Sequence, residues 1–250
     1  MLVTVGLYLR GRLTETPAFA RLAERNGLVR VPLGVLLRHH SLRLVLGSLA
    51  MVVCYAIFYM TTVFALDYGT RVSHIPRGTF LGLLCVAITL MAIATPISAF
   101  LSDRFGCRLV LLVGSAVAAV SGFAMQPLLG AGRVTGAAVY LCLELGLMGL
   151  LFAPMGALLP SLFPPQVRYT GASTAYNLGG ILGASLAPYA AQFLLGLGGL
   201  SAVGLYISGT AMVSFLALLC LRQPSSETHD SAVRPDAYVV ANRIICSPPR

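Results

Sequence analysis

The chain has 250 residues, of which 57% are hydrophobic and only 10% charged, whereas soluble globular chains are about a quarter charged. One compact domain of this size lacks the interior positions to hide so many apolar side chains, which excludes a water-soluble fold and makes this a membrane protein. The formal charge of +9 comes from seventeen basic residues, all Arg, against eight acidic ones, a balance that suits an anionic membrane surface better than nucleic acid.

In chain order, residues 1–9 are apolar and uncharged but too short to span a bilayer, and they read as the remnant of a preceding transmembrane helix. Arg10 and Arg12 follow that run, the reverse of the order in a signal peptide. Residues 10–43 are basic and mildly apolar, as in a cytoplasmic linker; Thr16-Pro17 signals a helix start and Asn26-Gly27 a stop. A crossing needs roughly 20 apolar residues, and six runs qualify: Leu44–Leu66, Phe80–Leu101, Leu109–Gly130, Ala137–Leu162, Tyr169–Leu195 and Ser201–Leu221. The runs are continuous rather than alternating, which excludes a transmembrane barrel. Polar punctuation separates them at Arg71–Arg77, at Ser102–Arg108 and at the Phe163–Arg168 turn. From 222 to 250 the chain carries Pro, Ser, Thr and scattered charge, the composition of a disordered tail. The expected fold is therefore all-α, with a six-helix transmembrane domain over residues 44–221.

Six crossings put both ends on one side. The N-terminal segment, the loops at 102–108 and 163–168 and the tail hold fourteen Arg, and the opposite loops hold Arg71, Arg77 and Arg133, so the ends are expected in the cytoplasm. Cys54, Cys85, Cys107, Cys142, Cys220 and Cys246 include no C-x-x-C pair and have no nearby His pair. Neither a disulfide framework nor a metal site is encoded, and no cofactor is implied. His39, His40, His74 and His229 all lie outside the apolar runs and no G-x-S-x-G occurs, so an intramembrane serine protease lacks its base and its nucleophile. A repeated ion filter or charged ring, as a channel requires, is not visible either.

Three segments carry a family resemblance. Leu13–Phe19 continuing to Pro32–His40, Leu101-Ser-Asp-Arg-Phe-Gly-Cys-Arg108, and Arg168–Gly180 running on to Ala187-Pro188 resemble the central loop, the second signature loop and the eleventh helix of a major facilitator superfamily transporter. Within it the metabolite:H⁺ symporters are the most similar group. The resemblance implies the C-terminal six-helix half of a twelve-helix fold in the cell's inner membrane. It also implies proton-coupled transport of a small polar metabolite, such as an organic acid or a zwitterion, and a missing N-terminal six-helix partner half, since the substrate path of such a fold lies between the halves. The alternative is an inactive transporter remnant or one half of a split transporter. Two positions depart from the signature: Ala99 replaces its first Gly and Cys107 a basic residue.

Candidate residues follow. Glu144 is the one ionisable residue well inside a run; a carboxylate at that depth marks a proton path by default, or, with water reaching it from the outer end, a hydrated structural group. Tyr55, Tyr59 and Thr62 stand at i, i+4 and i+7 and are expected on one face, either as substrate contacts or as an aromatic belt. Ser173 and Asn177 make a second polar face, while Ala172, Tyr176, Gly179 and Gly183 make a stripe for close helix contact, with Tyr176 also placed among the substrate contacts. Asp103, Arg104, Gly106, Arg108 and Arg168 form the gating motif that the resemblance implies, Gly106 permitting a tight reversal and Asp103 capping a helix or pairing with Arg. Pro96 and Pro188 are expected to kink their helices.

Overall fold

The computed structural model of the protein describes residues 32–221. The expectations for residues 1–31 and for the tail from 222 onward lie outside the described residues. A short helix, α1 (Pro32–His39), leads into five long ones: α2 (Ser41–Arg71), α3 (Arg77–Phe105), α4 (Cys107–Leu129), α5 (Val134–Ser161) and α6 (Arg168–Cys220). No strand occurs among the described residues. By length and composition each of the five is able to cross a membrane, because at about 1.5 Å per residue each exceeds a hydrocarbon core of about 30 Å.

With 53 residues, α6 is more than twice as long as one crossing requires. Its backbone leaves the helical region at Gly198 (φ −143°) and Gly199 (φ 66°). The left-handed φ of Gly199 is one that glycine adopts without a Cβ clash, so the Gly-Gly pair divides α6 into a first arm, 168–197, and a second arm, 200–220.

The connection between α3 and α4 is shorter than the sequence suggested. Ser102, Asp103 and Arg104 belong to the last turns of α3, α4 restarts at Cys107, and Gly106 alone, at φ 89°, reverses the chain. Polar residues beyond the apolar stretch suit a terminal helical turn as well as a loop, and only the residue with positive φ had to be Gly.

Two devices bring the helices together. Along α6, Gly171, Ala175, Gly179, Gly183, Ala187 and Ala191 recur every four residues, and all are buried. A Cβ on Gly179 would stand 2.7 Å from that of Met51, and one on Gly183 would stand 2.6 Å from the Val52 carbonyl oxygen, so the first arm lies directly on α2. The packed stripe thus runs through Gly171 and Ala175 rather than Ala172 and Tyr176. Strict four-residue spacing keeps side chains on one slowly turning face, and it leaves Tyr176 on the neighbouring one.

The second device is hydroxyl bonding across helices. Pro154 has no N–H for the carbonyl of Leu150 four residues earlier, and the Ser98 hydroxyl of α3 donates to that carbonyl instead. On the second arm, the Ser214 hydroxyl accepts from the Val53 N–H (3.1 Å) and donates to the Leu49 carbonyl (2.8 Å), two backbone groups of a helix that runs unbroken through both residues. The Ser98 bond satisfies a backbone carbonyl that hydrocarbon could not, and the Ser214 bonds tie the second arm to α2. Burial among the crossing segments is uneven: 61% of the apolar window of α2 lies inside the bundle and 22% of that of α3. Val86, Ile93, Ile97 and Phe100 of α3 point outward, as side chains facing lipid or another protein do.

Candidate functional site

Four helices converge on a cleft of about 300 Å³ lined by Tyr55, Phe58 and Tyr59 of α2, Met91 and Thr95 of α3, Met148 and Phe152 of α5, and Tyr176 of the first arm of α6. The close α2–α6 approach at Gly179 and Gly183 positions its aromatic wall. The Tyr55 and Tyr176 rings meet edge to face with centroids 5.8 Å apart and planes at 86°, and Phe152 meets the other side of Tyr176 at 6.2 Å and 83°, arrangements that aromatic quadrupoles favour. Among the described residues no hydrogen bond engages the hydroxyls of Tyr55, Tyr59 or Tyr176, while Thr95 Oγ1 donates to the Met91 carbonyl at 2.8 Å.

Tyr176 also borders a second hollow of about 300 Å³, which contains Ser173, Asn177, Tyr169 and the Gly156–Pro160 stretch of α5. Asn177 Nδ2 donates to the Ser173 carbonyl at 2.8 Å, which fixes the amide and leaves its Oδ1 available. The structure therefore brings Tyr55, Tyr59, Tyr176, Ser173 and Asn177 into two adjoining hollows, and no charged side chain lines either. A solute there meets π-faces and neutral hydrogen-bonding groups.

Thr62 is set apart from this group. A π-helical turn over Met60–Phe64 follows Tyr59; the extra residue per turn rotates everything beyond it, so the i, i+4, i+7 count does not hold across it. Thr62 instead lines a polar hollow of about 400 Å³ with Asp67, Thr70, Arg71 and Arg77 at the other end of α2. There Asp67 pairs with Arg71 at 2.6 Å and accepts from Gln192 Nε2 at 3.2 Å.

Glu144 is fully buried, not wetted from the outer end as the sequence allowed. It lies on α5 one turn before Met148, outside the cleft lining, and neither carboxyl oxygen has a hydrogen-bond partner.

The signature residues sit at the opposite end of the bundle from Arg71 and Arg77. Asp103 and Arg104 are exposed in the last turn of α3. Asp103 forms no ion pair among the described residues and caps no helix; the Arg104 guanidinium lies 5.5 Å from the Phe105 ring centroid. Arg108 Nη2 donates to the Leu219 carbonyl at 2.9 Å, tying the start of α4 to the last turn of α6, and Arg168 Nε bonds the Phe163 carbonyl at 3.4 Å. Arg43, not singled out by the sequence, makes a like bond to the Leu162 carbonyl at 3.2 Å. Cations at helix C-termini satisfy free carbonyls and complement the helix dipole. Phe58, Thr95, Met148 and Phe152 were likewise missed; within continuous apolar runs nothing marks which residues face a cleft.

Comparison with known proteins fits this architecture. The Major Facilitator Superfamily model matches two overlapping stretches, residues 1–166 and 76–249. The chain is 42% identical over 224 residues to "Inner membrane metabolite transport protein YhjE" of Escherichia coli (strain K12), covering 88% of this chain and 51% of that protein. It is 24% identical over 229 residues to the shikimate transporter of the same organism (89% of this chain, 52% of the relative). With the ectoine/proline transporter ProP of Corynebacterium glutamicum it shares 26% over 234 residues (89% and 46%). The chain spans about half the length of the curated relatives it matches. No solved structure matches it. With family matches that together reach from residue 1 to residue 249, the chain belongs to the Major Facilitator Superfamily.

Proposed function

We propose that this chain is the C-terminal six-helix half of a secondary active transporter that carries a small polar metabolite, an organic acid or a zwitterion, across the inner membrane by alternating access with proton coupling. The aromatic, uncharged cleft carries this reading. Tyr59, Tyr176, Ser173 and Asn177 can orient a polar solute through neutral hydrogen bonds, weak enough to permit release on the far side. Relatives named for shikimate and for ectoine and proline support a substrate with a carboxylate group. No cation lines the two hollows that Tyr176 borders, so that carboxylate takes its partner from a second six-helix half across the path.

Six crossings follow if the two arms of α6 each traverse the membrane, for which the Gly198–Gly199 break and the length of α6 are the support. The excess of Arg at one end then supports a cytoplasmic location for both ends of the chain, with the linker before α2 and the tail on that side. Asp103, Arg104, Gly106, Arg108 and Arg168 form the cytoplasmic gate in this reading, their bonds to helix-end carbonyls being exchangeable as the halves rock. Glu144 carries the coupled proton.

Uptake tests this directly. The chain is reconstituted together with the portion of the 42% identical Escherichia coli relative that it does not cover, and labelled organic acids and zwitterions are supplied under an imposed proton gradient. Saturable accumulation that a protonophore abolishes is expected; uptake that neither saturates nor responds to the gradient would contradict the proposal. Reporter fusions after Arg43, Arg108 and Arg168 should read as cytoplasmic and those near His74, Gly132 and Gly198 as external. An odd number of crossings would remove the six-helix topology.

A further inference from the structure

The polar hollow of about 400 Å³ at the end of α2 plays no part in the cleft chemistry. Its surroundings are nevertheless firmly built. Gly69, in the last turn of α2, makes room for the Phe80 ring of α3, which a Cβ there would overlap, and Phe80 is fully buried. The turn between the two helices is tied down as well: the Ser73 and Ile75 N–H groups donate to the Tyr68 and Gly69 carbonyls at 3.2 and 3.0 Å, and Ile75 is buried. Arg77, one turn before Phe80, therefore lines the same hollow as Arg71. Packing beneath them, rather than chance approach on a loose surface, brings the two guanidinium groups together.

The groups of this hollow are unequally engaged. Asp67 gives one oxygen to Arg71 Nε (2.6 Å) and the other to Gln192 Nε2 (3.2 Å), so its charge is balanced within the protein. The Thr62 and Thr70 hydroxyls donate to the Phe58 and Leu66 carbonyls at 2.6 and 2.8 Å. The Arg77 side chain makes neither an ion pair nor a hydrogen bond among the described residues. Two Arg against one Asp leave the lining with one positive charge in excess. A guanidinium fork matches a carboxylate with two parallel donors. In the proposed topology this end faces outside, where Arg is depleted, yet two of the three Arg on that side meet here. Positive potential in a concave site raises the local concentration of anions. Thr62 stands three residues beyond Tyr59, so the hollow follows the aromatic cleft along α2.

We propose that Arg77 and Arg71 form an outer capture site for the carboxylate of a small solute, occupied before the solute reaches the uncharged cleft. Arg77 supplies the free guanidinium. Arg71 shares its remaining donors with the same carboxylate while Asp67 holds it in place. Asp67 also limits the site, because a negative charge beside Arg71 weakens the hold on an anion and keeps capture brief. Binding itself does not depend on the transport reading, whereas the capture role rests on it and on this end facing outside.

The test is nuclear magnetic resonance of the full 250-residue chain, isotope-labelled in its arginine side chains and held in phosphatidylcholine nanodiscs. Succinate is titrated against sodium chloride of equal ionic strength. The Arg77 Nε–H resonance, identified by its loss in Arg77→Gln, should move saturably with succinate and not with chloride. In Arg77→Gln the Arg71 resonance should respond with about tenfold weaker affinity, the loss of one charge-assisted hydrogen bond, and in Asp67→Asn with affinity about threefold tighter. Arg133→Gln, which removes an Arg of the same side from outside the hollow, should change nothing. No response to succinate, an unchanged affinity in Arg77→Gln, or an equal loss in Arg133→Gln would overturn the site and leave the transport reading standing. If phosphatidylglycerol in the nanodiscs moves the same resonances and abolishes the succinate response, the site holds a lipid headgroup and solute capture is wrong. Succinate binding as expected, with a reporter near His74 reading as cytoplasmic, would overturn the capture role through the topology and not through the site.

Discussion

The aromatic cleft and the Glu144 pocket share α5 and approach each other within one turn, at Met148 and Glu144, yet they handle polar groups in opposite ways. In the cleft, tyrosine rings line a space of about 300 Å³ and two of them, Tyr55 and Tyr176, lean on one another edge to face. In the pocket the carboxyl is sealed from solvent, and neither of its oxygens has a hydrogen-bond partner. An open, neutral surface suits a solute that must bind and leave. A closed one that holds a carboxyl suits a particle as small as a proton, whose arrival relieves the cost of burial. In a bundle this apolar, the state of partnering of the few polar atoms separates the two regions better than their identity does.

The strongest way to break the cleft is to push its walls apart. Gly183→Leu places side-chain atoms where the Val52 carbonyl and Tyr55 already lie, and overpacking of this kind costs about 1–3 kcal/mol or more. A several-fold loss of monodisperse protein on size-exclusion chromatography is expected. Gly82→Leu, at a position with nothing within 4 Å, should leave the yield unchanged.

A smaller effect is expected at the α3–α5 contact. Ser98→Val removes the donor to the Leu150 carbonyl that Pro154 leaves free, a loss of about 1 kcal/mol visible as a lower thermal midpoint. Combining it with Pro154→Ala restores an N–H to that carbonyl, so the double variant should recover most of the loss. Equal destabilisation in both backgrounds would mean that the Ser98 bond does not compensate for the proline.

Within the cleft, Tyr59→Phe or Asn177→Ala should weaken apparent substrate affinity about three- to tenfold, the range of one hydrogen bond, at unchanged protein amount. Glu144→Gln should instead flatten the pH dependence of uptake while leaving affinity at low pH near that of the parent. A loss of affinity in Glu144→Gln equal to that in Tyr59→Phe would merge the two regions into one site. The smallest effect belongs to Thr62→Val, expected to match the parent in affinity because the π-turn moves Thr62 away from Tyr55 and Tyr59.

Much of this architecture is legible in the sequence. The apolar runs match the observed helices to within one residue past their C-terminal ends, the Leu195–Ser201 gap falls on the Gly198–Gly199 break, and Gly106 reverses the chain as its type suggested. What is not legible has physical reasons. α2 and α3 are both strongly apolar but differ almost threefold in burial, because in lipid an outward face is as apolar as an inward one and hydropathy carries no sign of direction. The Met60–Phe64 π-turn has no proline or glycine to announce it, and it removes Thr62 from the face that a 3.6-residue period assigns. Phe152 and Met148 differ in no visible way from their apolar neighbours; only the fold shows that Phe152 meets Tyr176 and that Met148 lines the same cleft. Glu144 was conspicuous by type, but its full enclosure shows only once the helices are packed around it.

The most direct measurement of the central claim, that the cleft forms one wall of a substrate path, is uptake by this chain paired with the uncovered portion of its Escherichia coli relative, compared with the same pair carrying Tyr176→Ala. Tyr176 borders both hollows, so at equal membrane protein the parent should show saturable uptake and the variant should lose most of it. Uptake and affinity in Tyr176→Ala equal to those of the parent would mean that the aromatic cleft is a packing surface and that the substrate passes elsewhere.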